Sequence, residues 1–285
     1  MVIQKLVRVP SPAKLNLFLH IIRQREDGYH DLQTVFQILN YCDYLDFEVT
    51  ESKNIQLLTN FFDVPQENNL IVKAAKLLQE KTGCEKGVKI SIEKNIPMGA
   101  GLGGGSSNAA TVLKTLNYLW ELNCTDDELM QMGLSLGADV PIFIFGKTAF
   151  AEGVGEKITS LDLPESYYVV LTPNCHVNTG SIFNAKDLPR NTKPITSLMY
   201  QIGFGHNDCE KIVKSLYKPV DEALSWLLQF APSRMTGTGS AVFAAFTEKD
   251  SANAILSKLP SHLQGFVAKG CSVSPLHAML AAHFE

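Results

Sequence analysis

The chain contains no Cys-x-x-Cys pair, and its six cysteines, at positions 42, 84, 124, 175, 209 and 271, have no histidine near them at zinc-finger spacing. This excludes a structural zinc finger and a thioredoxin-like redox motif, so the cysteines read as reduced thiols. Nor is there an excess of positive charge. A formal net charge of −4 over 285 residues gives no general attraction for nucleic acid, so any phosphate that binds must be held by a local site. No apolar run approaches the length that crosses a bilayer, and residues 1–20 lack both an uninterrupted apolar core and a small-residue cleavage site. Internal repeats and low-complexity segments are missing as well. The expectation is a cytoplasmic protein without membrane or nucleic-acid partners.

What is present is a composition for a large core, 45% hydrophobic and 19% charged, in a chain whose length suits two domains. Alternation from Ala13 to Ile21 predicts a strand with one face buried and with Lys14, Asn16 and His20 on a common face. The Asp27-Gly28 pair marks a turn, followed by strand-like segments from Asp31 to Leu39 and from Tyr44 to Val49. Apolar residues at helical spacing predict a helix from Asn69 to Glu80, stopped by Gly83. A strand over Val88 to Ile92 then leads into a glycine cluster. Further helices are predicted over Asn108 to Leu122 and over about 126–136, before a short buried apolar run from Val140 to Phe145.

A strand over 167–172 opens a second unit, with a helix near Asp221 to Phe230, a glycine turn at 237–239, a strand from Ala241 to Phe246 and a helix from Asp250 to Lys258. The order is mixed α+β, with a boundary between 155 and 165. The corresponding domains are 1–160 and 161–285.

The glycine cluster is Pro97-Met98-Gly99-Ala100-Gly101-Leu102-Gly103-Gly104-Gly105-Ser106-Ser107. It lies between a predicted strand and a predicted helix, where backbone amides and a helix N-terminus converge on an anion. A surface turn requires one or two glycines, not five within seven positions. Ser106 and Ser107 are able to cap the helix, donate to phosphate oxygens or help hold Mg²⁺. The Walker A pattern fails because Gly104 is followed by Gly105 and Ser106 with no lysine. The letters of the dinucleotide fingerprint are satisfied, but the region where its ribose-binding acid belongs reads as helix.

The string instead resembles the second motif of the GHMP kinases, in which such a loop wraps the phosphates of ATP. Two more motifs of that family stand in family order: Pro12-Ala13-Lys14-Leu15-Asn16 and Thr236-Gly237-Thr238-Gly239-Ser240-Ala241. The resemblance implies a two-domain α+β fold, with a half similar to domain 2 of ribosomal protein S5, a ferredoxin-like half and the active site in the cleft between them. It also implies ATP with Mg²⁺ as phosphoryl donor. Asn69, Leu70 and Lys94 fall where this family binds adenine, and Asn16, Thr238 and Gly239 stand on the acceptor side. A monomer or weak homodimer is expected.

Phosphoryl transfer needs its spreading negative charge stabilised, and the acceptor hydroxyl must lose a proton. Asp139, in Gly137-Ala138-Asp139-Val140-Pro141, stands between a helix end and a buried apolar run, where an isolated Asp would be read as a cap or an ion-paired carboxylate. The resemblance makes it the general base and Lys14 the cation that orients it and acidifies the attacking hydroxyl. Asp27-Gly28-Tyr29-His30-Asp31-Leu32-Gln33-Thr34 is similar to the signature of those GHMP kinases whose acceptor carries a cytidine diphosphate. Tyr29 and His30 would then bind the cytosine head, by stacking and by hydrogen bonding to its edge. Phe183 matches the second aromatic of the clamp. No protein metal cage is visible in the sequence, so Mg²⁺ is expected to travel with the nucleotide.

Overall fold

The computed structural model describes residues 4–59 and 65–284. The chain begins with two long strands, β1 (Lys5–Gln24) and β2 (His30–Thr50), then a short β3 (Ile55–Leu57). Helix α1 (Leu70–Thr82), strand β4 (Gly87–Glu93) and helices α2 (Gly104–Leu119), α3 (Asp126–Leu136) and α4 (Val140–Phe145) follow. Next come β5 (Ala149–Gly153), β6 (Lys157–Ser160), β7 (Tyr167–Leu171) and four helices, α5 (Thr179–Phe183), α6 (Ser197–Gln201), α7 (Glu210–Leu216) and α8 (Lys218–Leu227). The chain closes with β8 (Ser233–Met235), β9 (Val242–Phe246), α9 (Lys249–Leu256), β10 (Gly265–Cys271) and α10 (Pro275–Phe284). The expected α+β class is what forms.

β2 runs unbroken through the two segments expected as separate strands. The reason is its neighbours: it pairs with β5 at 32–36, with β10 at Ile38 and Leu39, and with β4 at 44–50, while β1 lines it throughout. Each stretch thus has its backbone groups satisfied by a different partner. β10 continues from β2 onto β7, which pairs with β9 and then β8, so one strand carries the sheet from the N-terminal half into the C-terminal half.

Asn69 caps α1 by accepting from Ile71 N at 3.0 Å, and Gly83 ends it at φ 69°. The predicted boundaries of two helices shift. α2 begins at Gly104, not Asn108, because Gly103 takes a left-handed φ of 74° at the N-cap and the glycines after it continue as helix. α8 begins at Lys218, not Asp221, because Pro219 sits in its first turn, where its fixed φ and missing N–H are tolerated. The apolar run at 140–145 becomes a short helix with Pro141 in its first turn.

Every residue of β1 from Ser11 to Ile21 is buried, so the expected one-sided burial gives way to burial on both faces. Leu15, Leu17 and Phe18 join a cluster with Tyr168, Val170, Ala241 and Phe243, whereas Leu19 and Ile21 pack with Val213, Val220 and Leu224 of α7 and α8. A third cluster packs α1, α2, α3 and α4 against β2 and β4, and takes in Leu276 and Leu280 of α10. Each such Leu or Ile side chain contributes about 1.5–3 kcal/mol when fully buried.

The register of β1 contains a bulge beside the site. Lys14 pairs with Ile38 and Asn16 with Phe36, but Leu19 rather than Phe18 pairs with Thr34. One extra residue in β1 reverses the alternation beyond it. Leu19 therefore joins Lys14 and Asn16 at the cleft, and His20 turns away to meet His206, Nε2 to Nδ1, at 3.1 Å. The expected common face of Lys14, Asn16 and His20 is corrected accordingly.

Candidate active site

Three segments distant in sequence are tied together at the backbone of the glycine loop. Lys14 N donates to Leu102 O at 3.0 Å, Ala241 N donates to Ala100 O at 3.0 Å, and Asn16 N donates to Thr236 Oγ1 at 2.8 Å. The close approach explains the glycines. A Cβ on Gly101 would lie 2.8 Å from both Gly239 O and Thr236 O, and one on Gly103 would lie 2.8 Å from Phe143 and 3.1 Å from Lys14 Cε. Gly99, Gly101 and Gly103 take φ values of 69°, 77° and 74° at alternate positions. Such alternation can converge backbone N–H groups into a concavity able to accept an anion, next to the uncapped first turn of α2.

Lys14 is buried, and its ammonium is held by two polar partners beside the cavity. Nζ lies 3.1 Å from Asp139 Oδ2, donates to Asn16 Oδ1 at 2.5 Å and sits 5.5 Å from the Phe36 ring centre. Asn16 Nδ2 donates to Thr34 Oγ1 at 3.0 Å, and Thr34 in turn donates to Phe18 O at 2.6 Å. That chain fixes the Asn16 amide with its oxygen toward the lysine. Asp139 occupies the N-cap position of α4, yet its side chain makes no cap bond there. Its carboxylate faces Lys14 instead, half-buried at the mouth of the cleft.

These groups border a cavity of about 530 Å³, lined also by Gly101, Ser106, Tyr29, His30, Phe183 and Thr238. Tyr29 is 65% exposed, held at the hairpin turn where its N–H donates to Asp27 Oδ1 at 3.0 Å. His30 is buried, and its ring lies 5.1 Å from that of Phe183, tilted by 32°. Burial, and next the Arg190 charge, lower the His30 pKa, which favours the neutral ring. Thr238 Oγ1 lies 2.9 Å from Thr179 Oγ1 at the opposite wall. The cleft can therefore hold an anion on backbone donors, a hydroxyl between a carboxylate and an ammonium, and a flat ring against aromatics.

Other expected site residues take different places. Ser106 opens on the cavity, but Ser107 is fully buried and accepts from Ser11 Oγ at 2.9 Å. Lys94 Nζ donates to Asp43 Oδ2 at 2.5 Å and to Asn108 Oδ1 at 3.3 Å, and lies 3.3 Å from where a Cβ on Gly104 would stand. A Cβ on Gly105 would lie 3.6 Å from Leu70, so Asn69 and Leu70 sit beside the loop. Pro97, Met98, Gly99, Ala100, Gly104 and Gly105 lie along the loop outside the cavity lining, with Met98 exposed. Gly239 packs away from the cavity, toward Met235 and Val213.

Sequence reasoning missed Asp43, Asn207 and Arg190. Asp43 is fully buried and accepts from Lys94, Asn95 N, Ile96 N and Asn108 Nδ2, which fixes the approach to the loop and the start of α2. Asn207 donates both Nδ2 hydrogens, to Met235 O and Gly237 O at 2.8 Å each, and so fixes the turn beside Lys14. No local pattern singles these residues out; only the sharp Asn-Asp pair at 207–208 stands out as a polar break.

The chain matches the family model described as the GHMP kinases N terminal domain over residues 69–147 and that described as GHMP kinases C terminal over residues 185–265. It is 53% identical over 272 residues to a 4-diphosphocytidyl-2-C-methyl-D-erythritol kinase of Pseudoalteromonas atlantica, covering 95% of each chain. The corresponding enzyme of Nitrosococcus oceani is 54% identical over 267 residues, with 94% of this chain and 95% of the relative covered. A crystal structure of 4-(cytidine 5'-diphospho)-2C-methyl-D-erythritol kinase superposes with a TM-score of 0.80 at 32% identity, covering 93% of this chain and 98% of the other. With the glycine loop and the facing lysine and aspartate in place, this chain belongs to the GHMP kinases and, within them, to the family of the 4-diphosphocytidyl-2-C-methyl-D-erythritol kinases.

Proposed function

We propose that this chain transfers the γ-phosphoryl group of ATP to the 2-hydroxyl of 4-diphosphocytidyl-2-C-methyl-D-erythritol, giving ADP and the 2-phosphate, a step of the non-mevalonate route to isoprenoid precursors. The observation that carries the reading is the Lys14–Asp139 pair, 3.1 Å apart at the mouth of a cavity that also holds the Tyr29, His30 and Phe183 rings. The loop amides and the first turn of α2 receive the ATP phosphates. Tyr29 and Phe183 flank the cytosine, with His30 at its edge. Asp139 takes the proton of the attacking hydroxyl, whose oxygen forms a bond to the γ-phosphorus as the bond to the β,γ-bridging oxygen breaks. Lys14 holds the carboxylate in place and offsets the charge that develops on the transferred group.

When bound with the nucleotide, Mg²⁺ would supply neutralisation of phosphate charge. Ser106, whose side chain borders the cavity at the first turn of α2, fits as an oxygen ligand to it. The other ligands would be mainly phosphate oxygens of the nucleotide. In this reading the chain acts in the cytoplasm, as a monomer or weak homodimer built from domains 1–160 and 161–285.

The test is ATP consumption by the purified protein with Mg²⁺ and each of four acceptors: the cytidylylated methylerythritol, the uncytidylylated methylerythritol phosphate, mevalonate and homoserine. Turnover confined to the first supports the reading. Turnover with another alcohol would keep a kinase and remove the cytidine site.

A further inference from the structure

Arg190 lies behind His30, outside the cavity lining, and its guanidinium is anchored on three sides. Nη1 donates to Leu188 O at 3.1 Å, and Nη2 donates to Phe183 O at 2.8 Å and Ala185 O at 3.0 Å. A fourth donor, Nε, points at His30 Nε2, 3.2 Å away. A guanidinium has no lone pair to offer and does not lose its proton in a protein. His30 Nε2 must therefore be the acceptor, which leaves the ring's one proton on Nδ1. Among the described residues no protein group bonds to Nδ1, and His30 borders the cavity. The free donor therefore belongs to whatever enters.

We infer that Arg190 is a positioning residue that locks His30 as the Nδ1–H tautomer, and that this donor makes the pocket choose cytosine over uracil. The inference rests on the substrate reading above. Cytosine presents an unprotonated N3 beside its O2 carbonyl, an edge of acceptors that matches an N–H. Uracil carries a hydrogen on N3, so the same approach brings two donors together and leaves both buried without a partner. Without Arg190 the imidazole is free to move its proton to Nε2 and offer a lone pair at Nδ1, which accepts the uracil N3–H. The carbonyls that Arg190 holds also belong to the segment carrying Phe183, so one residue sets both the ring wall and the edge donor.

The first measurement is a long-range ¹H–¹⁵N spectrum of the ¹⁵N-histidine-labelled whole chain at pH 7.5, with His30 assigned by its absence in His30→Gln. The inference predicts a protonated Nδ1 and an unprotonated Nε2 at His30. An unprotonated Nδ1 in the unmodified chain would overturn it, whatever the variants do. The second compares acceptors linked to cytidine diphosphate and to uridine diphosphate. In Arg190→Met the preference for the cytidine form, taken as the ratio of kcat/KM values, should fall at least about tenfold. The loss should lie in acceptor KM, with KM for ATP held within about twofold. Arg190→Lys, which keeps a donor, should retain part of the preference and of the tautomer signal. If Arg190→Met raises KM equally for both bases and leaves the tautomer unchanged, the residue is only a brace and the inference fails. Absence of turnover on the cytidine acceptor by the unmodified chain would instead sink the substrate reading, while the spectrum still decides the tautomer.

Discussion

Lys14 Nζ stands 3.1 Å from Asp139 Oδ2, with the lysine side chain 3% exposed and the aspartate 37%. The two charges are thus unequal partners. The ammonium has left water and depends on its neighbours, whereas the carboxylate remains reachable by an entering hydroxyl. Burying a cation carries a desolvation penalty that a nearby charge roughly offsets, so the pair is expected to act through chemistry more than through stability.

Replacing Lys14 by Met should accordingly separate the two effects. We expect kcat to fall by about 10²–10³-fold, the scale of losing one aimed electrostatic group. The melting temperature should move by less than ~4 °C, because the methionine fills the buried stem's volume without the charge. Steady-state kinetics and a thermal melt on the same preparation check this; unfolding at room temperature would contradict it.

Tyr29 reaches the cavity from an exposed turn, with no core to support. Tyr29→Ala should raise the acceptor KM about tenfold, as expected for losing a stacking ring of 1–3 kcal/mol. KM for ATP and the melting temperature should stay as they were. An unchanged acceptor KM would remove Tyr29 from the clamp.

Gly28 and Gly101 share a positive φ, 86° and 77°, but differ in surroundings. A Cβ at Gly28 meets nothing within 4 Å, so Gly28→Ala should cost about 1–2 kcal/mol for handedness alone. At Gly101 the same Cβ collides with two backbone oxygens at 2.8 Å, so Gly101→Ala should cost at least ~1 kcal/mol more and raise KM for ATP. Urea unfolding of both variants makes the comparison; equal losses would contradict the packing of loop 97–103 against 236–241.

His20, His30 and His277 all have pKa values lowered by burial, the largest cause in each case. For His20 the next cause is His206, for His30 it is Arg190, and for His277 it is Lys114. In the unfolded chain each takes up a proton near pH 6.5, whereas in the folded chain each resists until lower pH. Between those points the unfolded state binds more protons, so stability rises with pH there. The contribution is complete above about pH 6.5 and is lost as pH falls through the lowered folded values. Urea unfolding should therefore give a larger free energy at pH 7 than at pH 5.5, and a flat profile would contradict the neutral buried rings.

The parts of the site carried by contiguous strings were legible because their geometry is local. Gly99 to Ser107 make a loop and a helix start within a few residues of one another, and Asn69 and Gly83 bracket α1 by caps alone. Lys14 was legible as a strand residue in a motif, but the placement of His20 was not. The bulge after Asn16 depends on how β1 registers against Phe36 and Thr34, which local alternation does not encode. Arg190, Asn207 and Asp43 were hidden for a related reason: each acts through hydrogen bonds to segments far along the chain, such as His30, Gly237 and Lys94. The early start of α2 was missed because propensity places glycines outside helices, whereas here Gly103 has a positive φ and no room for a Cβ beside the Phe143 and Lys14 side chains.

The most direct test of the account is single-turnover phosphoryl transfer by Asp139→Asn, with ATP and the cytidylylated acceptor both bound before Mg²⁺ is added. The carboxamide keeps the shape and loses the capacity to take a proton, so transfer should slow by about 10²-fold or more, the contribution of a positioned base. ATP affinity should remain within about threefold, because in the proposed function the loop amides rather than Asp139 hold the phosphates. Transfer at near the unmodified rate would contradict the assignment of Asp139 as the base.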